Sequence, residues 1–150
     1  MKKRLGVLML ALVLVVVSVA GCSSGSTSKE DAVTKVGFIY VGPADDGGWS
    51  QAHDNGRAKM VEKMGGKVET IVKENVPEEK SAVVSTIRDM VDQGCTIIYG
   101  TSYGFMDGMV EAAKEFPDVK FEHCSGYMTA DNLGTYFGKI EEPRYLSGIV

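Results

Sequence analysis

The stretch Val36–Arg57, VGFIYVGPADDGGWSQAHDNGR, contains the pattern on which the predicted fold rests. Its first part, Val36–Val41, is a β-branched and aromatic run that is typical of a strand buried on both faces of a sheet. A loop rich in glycine and aspartate follows over 42–48, and a helix is predicted to begin near Gly48, with Trp49 in its first turn. The stretch therefore predicts a strand, a loop and a helix in succession, which is the first half of a βαβ unit.

The same alternation of strands and helices continues to the end of the chain. Its clearest helix carries apolar residues at i, i+1, i+4, i+7 and i+8, starting at Val83, which is an amphipathic stripe. Strands that alternate with helices predict an α/β fold with a parallel, doubly wound sheet and right-handed crossovers. The predicted strands are Val36–Val41, Lys67–Val72, Thr96–Tyr99, Val119–His123 and Leu133–Phe137, and the predicted helices cover about 48–64, 77–93, 105–115 and the residues from 143 onward.

Residues 1–21 have the features of an export signal. A basic start, Lys2 to Arg4, precedes the apolar run Leu5–Ala20 and a pair of small residues. Cys22 then occupies the position of the lipidated cysteine in the lipobox that these residues resemble, so we expect a lipoprotein anchored on the extracytoplasmic face of the cell membrane. A plain signal peptide or an N-terminal anchor helix stays open as an alternative.

The segment after Cys22 is small and polar. Residues 22–34 are interpreted as the lipidated cysteine and a flexible tether, and residues 35–150 as the folded lobe. The formal net charge of the whole chain is −4, and it becomes more negative once the basic start is removed. An acidic exported lobe is a poor candidate for binding nucleic acid.

Ligands of open parallel sheets bind outside the carboxyl ends of the strands, so function is expected in loops 42–48, 100–104 and 124–132. The chain contains no GxxxxGK[ST] or GxGxxG phosphate loop and no GxSxG elbow. His53 and His123 have no HExxH or CxxC context, so no metal site is predicted. These patterns favour a binding surface and provide no argument for an enzyme, a metal or a cofactor.

The loop after the first strand supplies the main candidate contacts. Gly47 and Gly48 allow the backbone to turn sharply and to approach a ligand. Asp46 and Ser50 offer hydrogen-bonding groups, and Trp49 offers a plane on which a nucleobase would stack, an interaction worth roughly 1–3 kcal/mol. The alternative interpretation is structural: Trp49 fastens the helix start to the sheet, and Asp46 caps the helix.

The loops after the third and fourth strands add rim candidates at the same sheet edge. They contribute hydroxyl groups, aromatic rings and a glycine, in Ser102, Tyr103, Gly104, Ser125 and Tyr127. His123 is interpreted as a hydrogen-bonded strand-end histidine. Because Cys95 precedes one predicted parallel strand and Cys124 follows the end of another, they lie at opposite edges, and two buried thiols are expected in place of a disulfide.

Three segments, KVGFIYVGPADDGGWSQAHDNGR, FEHCSGY and NLGTYFGKIEEPRYLSGIV, resemble the basic membrane protein (BMP, PnrA-like) family of substrate-binding lipoproteins of ABC importers. The resemblance implies the N-terminal lobe of a type I periplasmic-binding-protein fold, with the C-terminal lobe absent from a probable fragment.

The resemblance also implies capture of a purine nucleoside or purine base and delivery to an ABC permease. The family pattern of an acidic, an aromatic and a small polar residue falls on Asp46, Trp49 and Ser50, although many members have phenylalanine and asparagine at the last two positions. A ligand-sensing lipoprotein and an exported enzyme acting on nucleosides stay open as alternatives.

Overall fold

The computed structural model describes residues 33–149. The predicted signal peptide 1–21, the predicted lipidation at Cys22 and nearly all of the predicted tether lie outside the described residues. Within the described part, no helix is both long enough and apolar enough to cross a membrane.

One sheet of five parallel strands forms the centre of the lobe, in the spatial order β2-β1-β3-β4-β5. This confirms the predicted α/β fold with a parallel sheet. The strands are β1 (Thr34–Ile39), β2 (Val68–Lys73), β3 (Ile97–Gly100), β4 (Lys120–Cys124) and β5 (Leu133–Tyr136), and the helices are α1 (Trp49–Met64), α2 (Lys80–Asp92), α3 (Met106–Glu115) and α4 (Glu141–Ser147), with a 3₁₀ turn at Tyr103–Phe105.

The interior strand β1, which lies between β2 and β3, shows why the sheet is covered on both faces. Phe38 and Tyr40 belong to a cluster that includes Met60 of α1, whereas Ile39 belongs to the larger cluster that α2 and α3 cover. Gly37 faces this second layer, because a Cβ at that position would lie 2.8 Å from the sulfur of Met90. The alternation of side chains along a strand thus assigns α1 to one face and α2 with α3 to the other.

Helix α1 is held to the sheet largely by polar contacts. The Tyr40 hydroxyl donates to Asp54 at 3.2 Å, and Arg57 donates to Asp54 at 2.6 Å and to Thr70 at 3.0 Å. The predicted apolar face of this helix is only partly confirmed, because Met64 at its last turn is 43% exposed.

The segment before α2 differs from the prediction that this helix begins at Pro77. Glu79 still has an extended backbone, and α2 begins at Lys80. Val76 is buried, and its amide donates to the carbonyl of Tyr40 at 3.0 Å. The residues 74–79 therefore form a further loop at the carboxyl edge of the sheet, which the sequence did not single out.

The loop 124–132 lies only partly where it was predicted. Because β4 and β5 are parallel and no helix joins them, the loop returns from the carboxyl edge to the amino edge of the sheet. Asn132 lies at the far end of that return, where its side-chain amide donates to the carbonyls of Ala113, Phe116 and Val119 at 2.9–3.0 Å. Its first residues alone remain candidates for ligand contact.

The two cysteines of the lobe are free and buried, as predicted. The register pairs Gly100 with His123, so Cys124 lies at the carboxyl edge, while Cys95 precedes the amino end of β3.

Candidate functional site

The carboxyl edge of the sheet carries two separate groups of candidate residues. One group surrounds Trp49, where the start of α1 meets the end of β5 and the chain after it. The other surrounds Tyr103, where the loops after β2, β3 and β4 meet. We call them the Trp49 pocket and the Tyr103 rim.

The carboxylate of Asp46 is engaged by the first turn of α1. One oxygen accepts hydrogen bonds from the amides of Gly48 at 2.8 Å and Gln51 at 3.0 Å, and the other accepts from the amide of Ser50 at 2.9 Å. The amides of Gln51, Ser50 and Gly48 lower the pKa of Asp46 to about 2. The carboxylate of Asp46 therefore occupies the N-terminus of α1, so this end of the helix is not available to a phosphate or carboxylate ligand.

Backbone geometry around Asp46 depends on the two glycines that follow it. Gly47 has a φ of +71°, in the left-handed region that favours glycine, and no atom lies within 4 Å of a Cβ built there. The amide of Gly48 donates to Asp46, as described above. The loop thus folds around its own carboxylate, and its outer surface at Gly47 is open.

The side chain of Ser50 lies beneath the loop. The residue is fully buried, and its Oγ lies only 3.3 Å from where a Cβ at Gly42 would be. As the second residue of α1, it directs its side chain back beneath the loop and away from the open surface. Its contact with a ligand therefore stays a prediction.

Trp49 combines the two interpretations that the sequence left open. Its indole nitrogen donates to the carbonyl of Thr101 at 2.6 Å, which fastens the start of α1 to the loop after β3. Thr101 is itself buried and donates through its hydroxyl to Ile39 at 2.9 Å. The tryptophan nevertheless remains 39% exposed. Its ring is thus a rigidly held plane of which part faces outward.

The Trp49 pocket is a concave cavity of about 310 Å³ beside that plane. The centroid of the indole lies 5.1 Å from that of His53, at an interplanar angle of 65°, and 6.4 Å from that of Phe137, at 45°. The His53 and Tyr136 rings are also neighbours, 6.4 Å apart. The residues that line the cavity are Trp49, His53, Cys124, Tyr136, Phe137, Gly138, Lys139, Ile140 and Pro143.

Sequence reasoning missed most of these lining residues, although signals for two of them were present. His53 follows Trp49 by four positions and therefore shares its helix face. Phe137 ends the predicted fifth strand, and the loop after that strand lies at the same carboxyl edge.

Polar atoms within the pocket are largely satisfied by the protein itself. Burial raises the pKa of Tyr136, whose hydroxyl also contacts the thiol of Cys124. Burial lowers the pKa of His53, and no charged or hydrogen-bonding neighbour opposes that effect. The imidazole of His53 is therefore neutral near pH 7, and Lys139 is the one charged residue among the described residues that line the cavity.

The Tyr103 rim consists of side chains that lie largely in the open. The Tyr103 and Tyr127 rings lie 6.4 Å apart, and the two side chains are 56% and 72% exposed. The Ser102 hydroxyl donates to the carboxylate of Glu78, and the Glu78 side chain lies so close to Gly104 that a Cβ there would collide with it.

Beneath this rim, His123 connects the loops after β3 and β4. Its Nε2 forms a hydrogen bond with the carbonyl of Ser102 at 2.7 Å, while its buried Nδ1 has no partner among the described residues. Gly126 packs directly on the imidazole, so that a Cβ there would overlap the ring. Ser125 has a φ of +65° and donates through its hydroxyl to the carbonyl of Cys124 at 2.6 Å.

The arrangement does not combine these groups into a catalytic or metal centre. His123 lies under the Tyr103 rim, whereas its neighbour Cys124 lines the Trp49 pocket. Between residues 33 and 149, no group of three or more His, Cys, Asp or Glu side chains is placed to hold a metal ion.

Comparisons with known proteins agree with this geometry. A family model described as ABC transporter substrate-binding protein, PnrA-like, matches residues 33–150. The chain is 45% identical over 137 residues to a purine-binding protein of Brucella abortus, covering 91% of this chain and 39% of that protein. It is 35% identical over 127 residues to a Haloferax volcanii protein named, provisionally, as the ABC transporter glucose-binding protein TsgA13, covering 84% of this chain and 32% of that protein.

Among solved structures, the fold is similar to an ABC transporter solute-binding protein from Conexibacter woesei, with a TM-score of 0.65 and 22% identity. That alignment covers 78% of this chain and 39% of the other. The chain therefore spans about two fifths or less of the length of these three proteins.

Proposed function

The chain belongs to the family of PnrA-like ABC transporter substrate-binding proteins, and from that membership we propose that it forms one lobe of a receptor for purines. In this proposal the receptor captures a purine base or nucleoside outside the cytoplasm, closes on it by hinge motion and delivers it to an ABC permease. A lipid on Cys22 holds the receptor at the membrane. The receptor catalyses no reaction.

The observation that carries the proposal is the Trp49 pocket. A flat, uncharged ring fits a cavity whose walls are aromatic, because stacking on a nucleobase is worth roughly 1–3 kcal/mol per contact. Asp46 already occupies the helix N-terminus, so anionic ligands such as nucleotides are disfavoured. The relative from Brucella abortus, named as a purine-binding protein, supports the same ligand class.

The predicted site residues other than Ser50 each receive a role in this proposal. Trp49 supplies the stacking plane, and Gly47 and Gly48 let the ligand approach the backbone. Asp46 holds the loop in shape beside the ligand, because its carboxylate accepts hydrogen bonds from three amides. The exposed rim residues contact the ligand or the opposite lobe on closure; they are Ser102, Tyr103, Gly104, Ser125 and Tyr127.

A sugar is the second candidate ligand, because one relative at 35% identity is named for glucose binding. A sugar receptor needs several hydrogen-bonding groups around the ring hydroxyls. The polar groups of the Trp49 pocket are mostly engaged by the protein, which makes the pocket a better match for a base than for a hexose.

Calorimetric titration of the intact protein distinguishes these ligands. The panel is adenine, hypoxanthine, guanosine, inosine, glucose, a pentose and an amino acid, each tested at the same protein concentration. We expect heat of binding from purines and none from the sugars or the amino acid. Binding of glucose without any purine would overturn the proposed ligand class, and turnover of a nucleoside would contradict a receptor without catalysis.

A further inference from the structure

We propose that His53 forms the hydrogen bond by which the Trp49 pocket recognises the polar edge of its ligand. The sequence predicted a polar contact from Ser50, whose side chain is fully buried in this lobe. The inference rests on the proposed function, since it assigns a specificity-determining residue to the same pocket.

The orientation of the His53 ring is the first argument. Its plane is inclined by 65° to the indole of Trp49, with the ring centroids 5.1 Å apart. A ligand that stacks on the indole lies parallel to it and is therefore steeply inclined to the imidazole. At this inclination the imidazole is not stacked on the ligand, and a ring nitrogen can form a hydrogen bond with its edge.

The second argument is that the neighbouring polar groups are already engaged. The indole nitrogen of Trp49 donates to Thr101, the carboxylate of Asp46 accepts from three amides, and the Tyr136 hydroxyl contacts Cys124. No described residue forms a hydrogen bond with the ring nitrogens of His53. A half-buried imidazole without partners gains most from a ligand that supplies them.

Position is the third argument. His53 lines the Trp49 pocket and also the adjoining cavity of about 310 Å³ between α1 and the sheet. The adjoining cavity is walled by aromatic rings, including those of Phe38 and Tyr99, which stack 4.9 Å apart. The imidazole thus lies between the two cavities, together with Tyr136, which lines both of them as well.

The chemistry of a neutral imidazole fits a purine edge. One ring nitrogen donates and the other accepts, and a purine edge offers both ring nitrogens and N–H groups. A protonated ring has no acceptor, so it cannot bind an N–H group of the base. Affinity for adenine is therefore expected to fall as the pH falls and His53 becomes protonated. The titratable or charged groups that face the two cavities beside His53 are Arg57 on α1, Tyr99 on β3, Cys124 on β4, Tyr136 on β5 and Lys139 after it.

The test is calorimetric titration of the intact protein with adenine between pH 8 and pH 5.5. The variants are His53→Gln, which keeps a neutral donor and acceptor, and His53→Leu, which removes both. Asn55→Ala, at an exposed position of α1, is the matched control. Thermal melts establish that each variant is folded.

We expect His53→Leu to weaken adenine binding roughly tenfold or more, which is the effect of losing one hydrogen bond to a desolvated ligand. His53→Gln and Asn55→Ala should bind within a few-fold of the wild type, and the loss of affinity at low pH should disappear in His53→Gln. Unchanged binding by a folded His53→Leu variant, or pH dependence that persists in His53→Gln, would overturn the role of His53. Either result would leave the proposed function standing. If the wild-type protein bound neither adenine nor any other purine of the panel above, the proposed function would be overturned, and this inference with it.

Discussion

The Trp49 pocket and the Tyr103 rim lie on one edge of one sheet, yet their physical characters are opposite. The pocket is concave and aromatic, and its central ring is fixed by a 2.6 Å hydrogen bond to Thr101. The rim presents two tyrosines that are more than half exposed. A position at the end of a strand is therefore not enough for a binding site. An aromatic plane that binds a ligand must also be rigidly held and partly enclosed.

Replacement of Trp49 should remove most of the difference in ligand binding between the two regions. We expect Trp49→Ala to weaken purine binding about tenfold to a hundredfold, because it removes a stacking contact worth roughly 1–3 kcal/mol. Trp49→Phe keeps a plane and should retain much of the affinity. Calorimetry with adenine measures both variants, and Tyr103→Ala is the matched control on the rim. A larger loss in Tyr103→Ala than in Trp49→Ala would reverse our assignment of the two regions.

Gly126→Ala should destabilise the rim without changing the pocket. The new methyl group overlaps the buried ring of His123, and overpacking of this kind costs typically 1–3 kcal/mol. Gly56→Ala is the control, because no atom lies within 4 Å of its Cβ position on α1, and alanine there should stabilise the helix slightly. Chemical denaturation measures stability, and adenine affinity of the folded Gly126→Ala variant should stay near the wild-type value.

The carboxylate of Asp46 should stabilise the loop that holds the pocket. Its pKa is lowered from the usual 3.8 to about 2 by the amides of Gln51, Ser50 and Gly48. Its contribution is therefore present above pH 4 and lost as the pH falls toward 2. Asp46→Ala should lower Tm at pH 7 by a few degrees, and the difference from the wild type should shrink in acid. A difference that is unchanged at pH 2 would contradict the capping role.

His123 provides a smaller, pH-dependent effect on the rim. Burial lowers its pKa, although the hydrogen bond with Ser102 opposes the shift. A histidine whose folded pKa is depressed contributes stability that is complete above its unfolded pKa, near 6.5, and is lost as the pH falls through the folded value. Thermal melts between pH 7.5 and pH 5 should show a decline that is reduced in His123→Gln. An identical decline in both proteins would assign it to other groups.

Ser50→Ala should have the smallest effect on binding. Its side chain is fully buried under the loop, so adenine affinity should stay within about twofold of the wild-type value. A larger loss, with stability unchanged, would show that the loop opens to bring the hydroxyl to the ligand.

Much of the fold could be predicted from the chain because its signals are local. Buried strands such as β1 appear as continuous apolar runs, and helices such as α2 show a clear stripe. Parallel topology follows from their alternation, and it correctly placed Cys95 and Cys124 at opposite edges. The path of 124–132 could not be inferred, because nothing in its sequence shows that β5 follows β4 without a helix.

The candidate site was harder to predict because its residues converge from distant parts of the chain. His53, Tyr136 and Phe137 meet only through the packing of α1 against the last strand. The sequence also could not show whether Asp46 bonds to a ligand or to amides, since both roles require the same carboxylate. The burial of Ser50 could not be inferred either, because one helical position, about 100° of rotation, separates it from the exposed Trp49.

The central claim is that a purine lies on the exposed plane of Trp49. The most direct measurement is fluorescence of the intact protein in a variant whose only tryptophan is Trp49, titrated with adenine and, separately, with glucose. We predict saturable quenching by adenine, with an affinity equal to that from calorimetry, and no response to glucose. Adenine binding by calorimetry without any change in Trp49 fluorescence would contradict the claim.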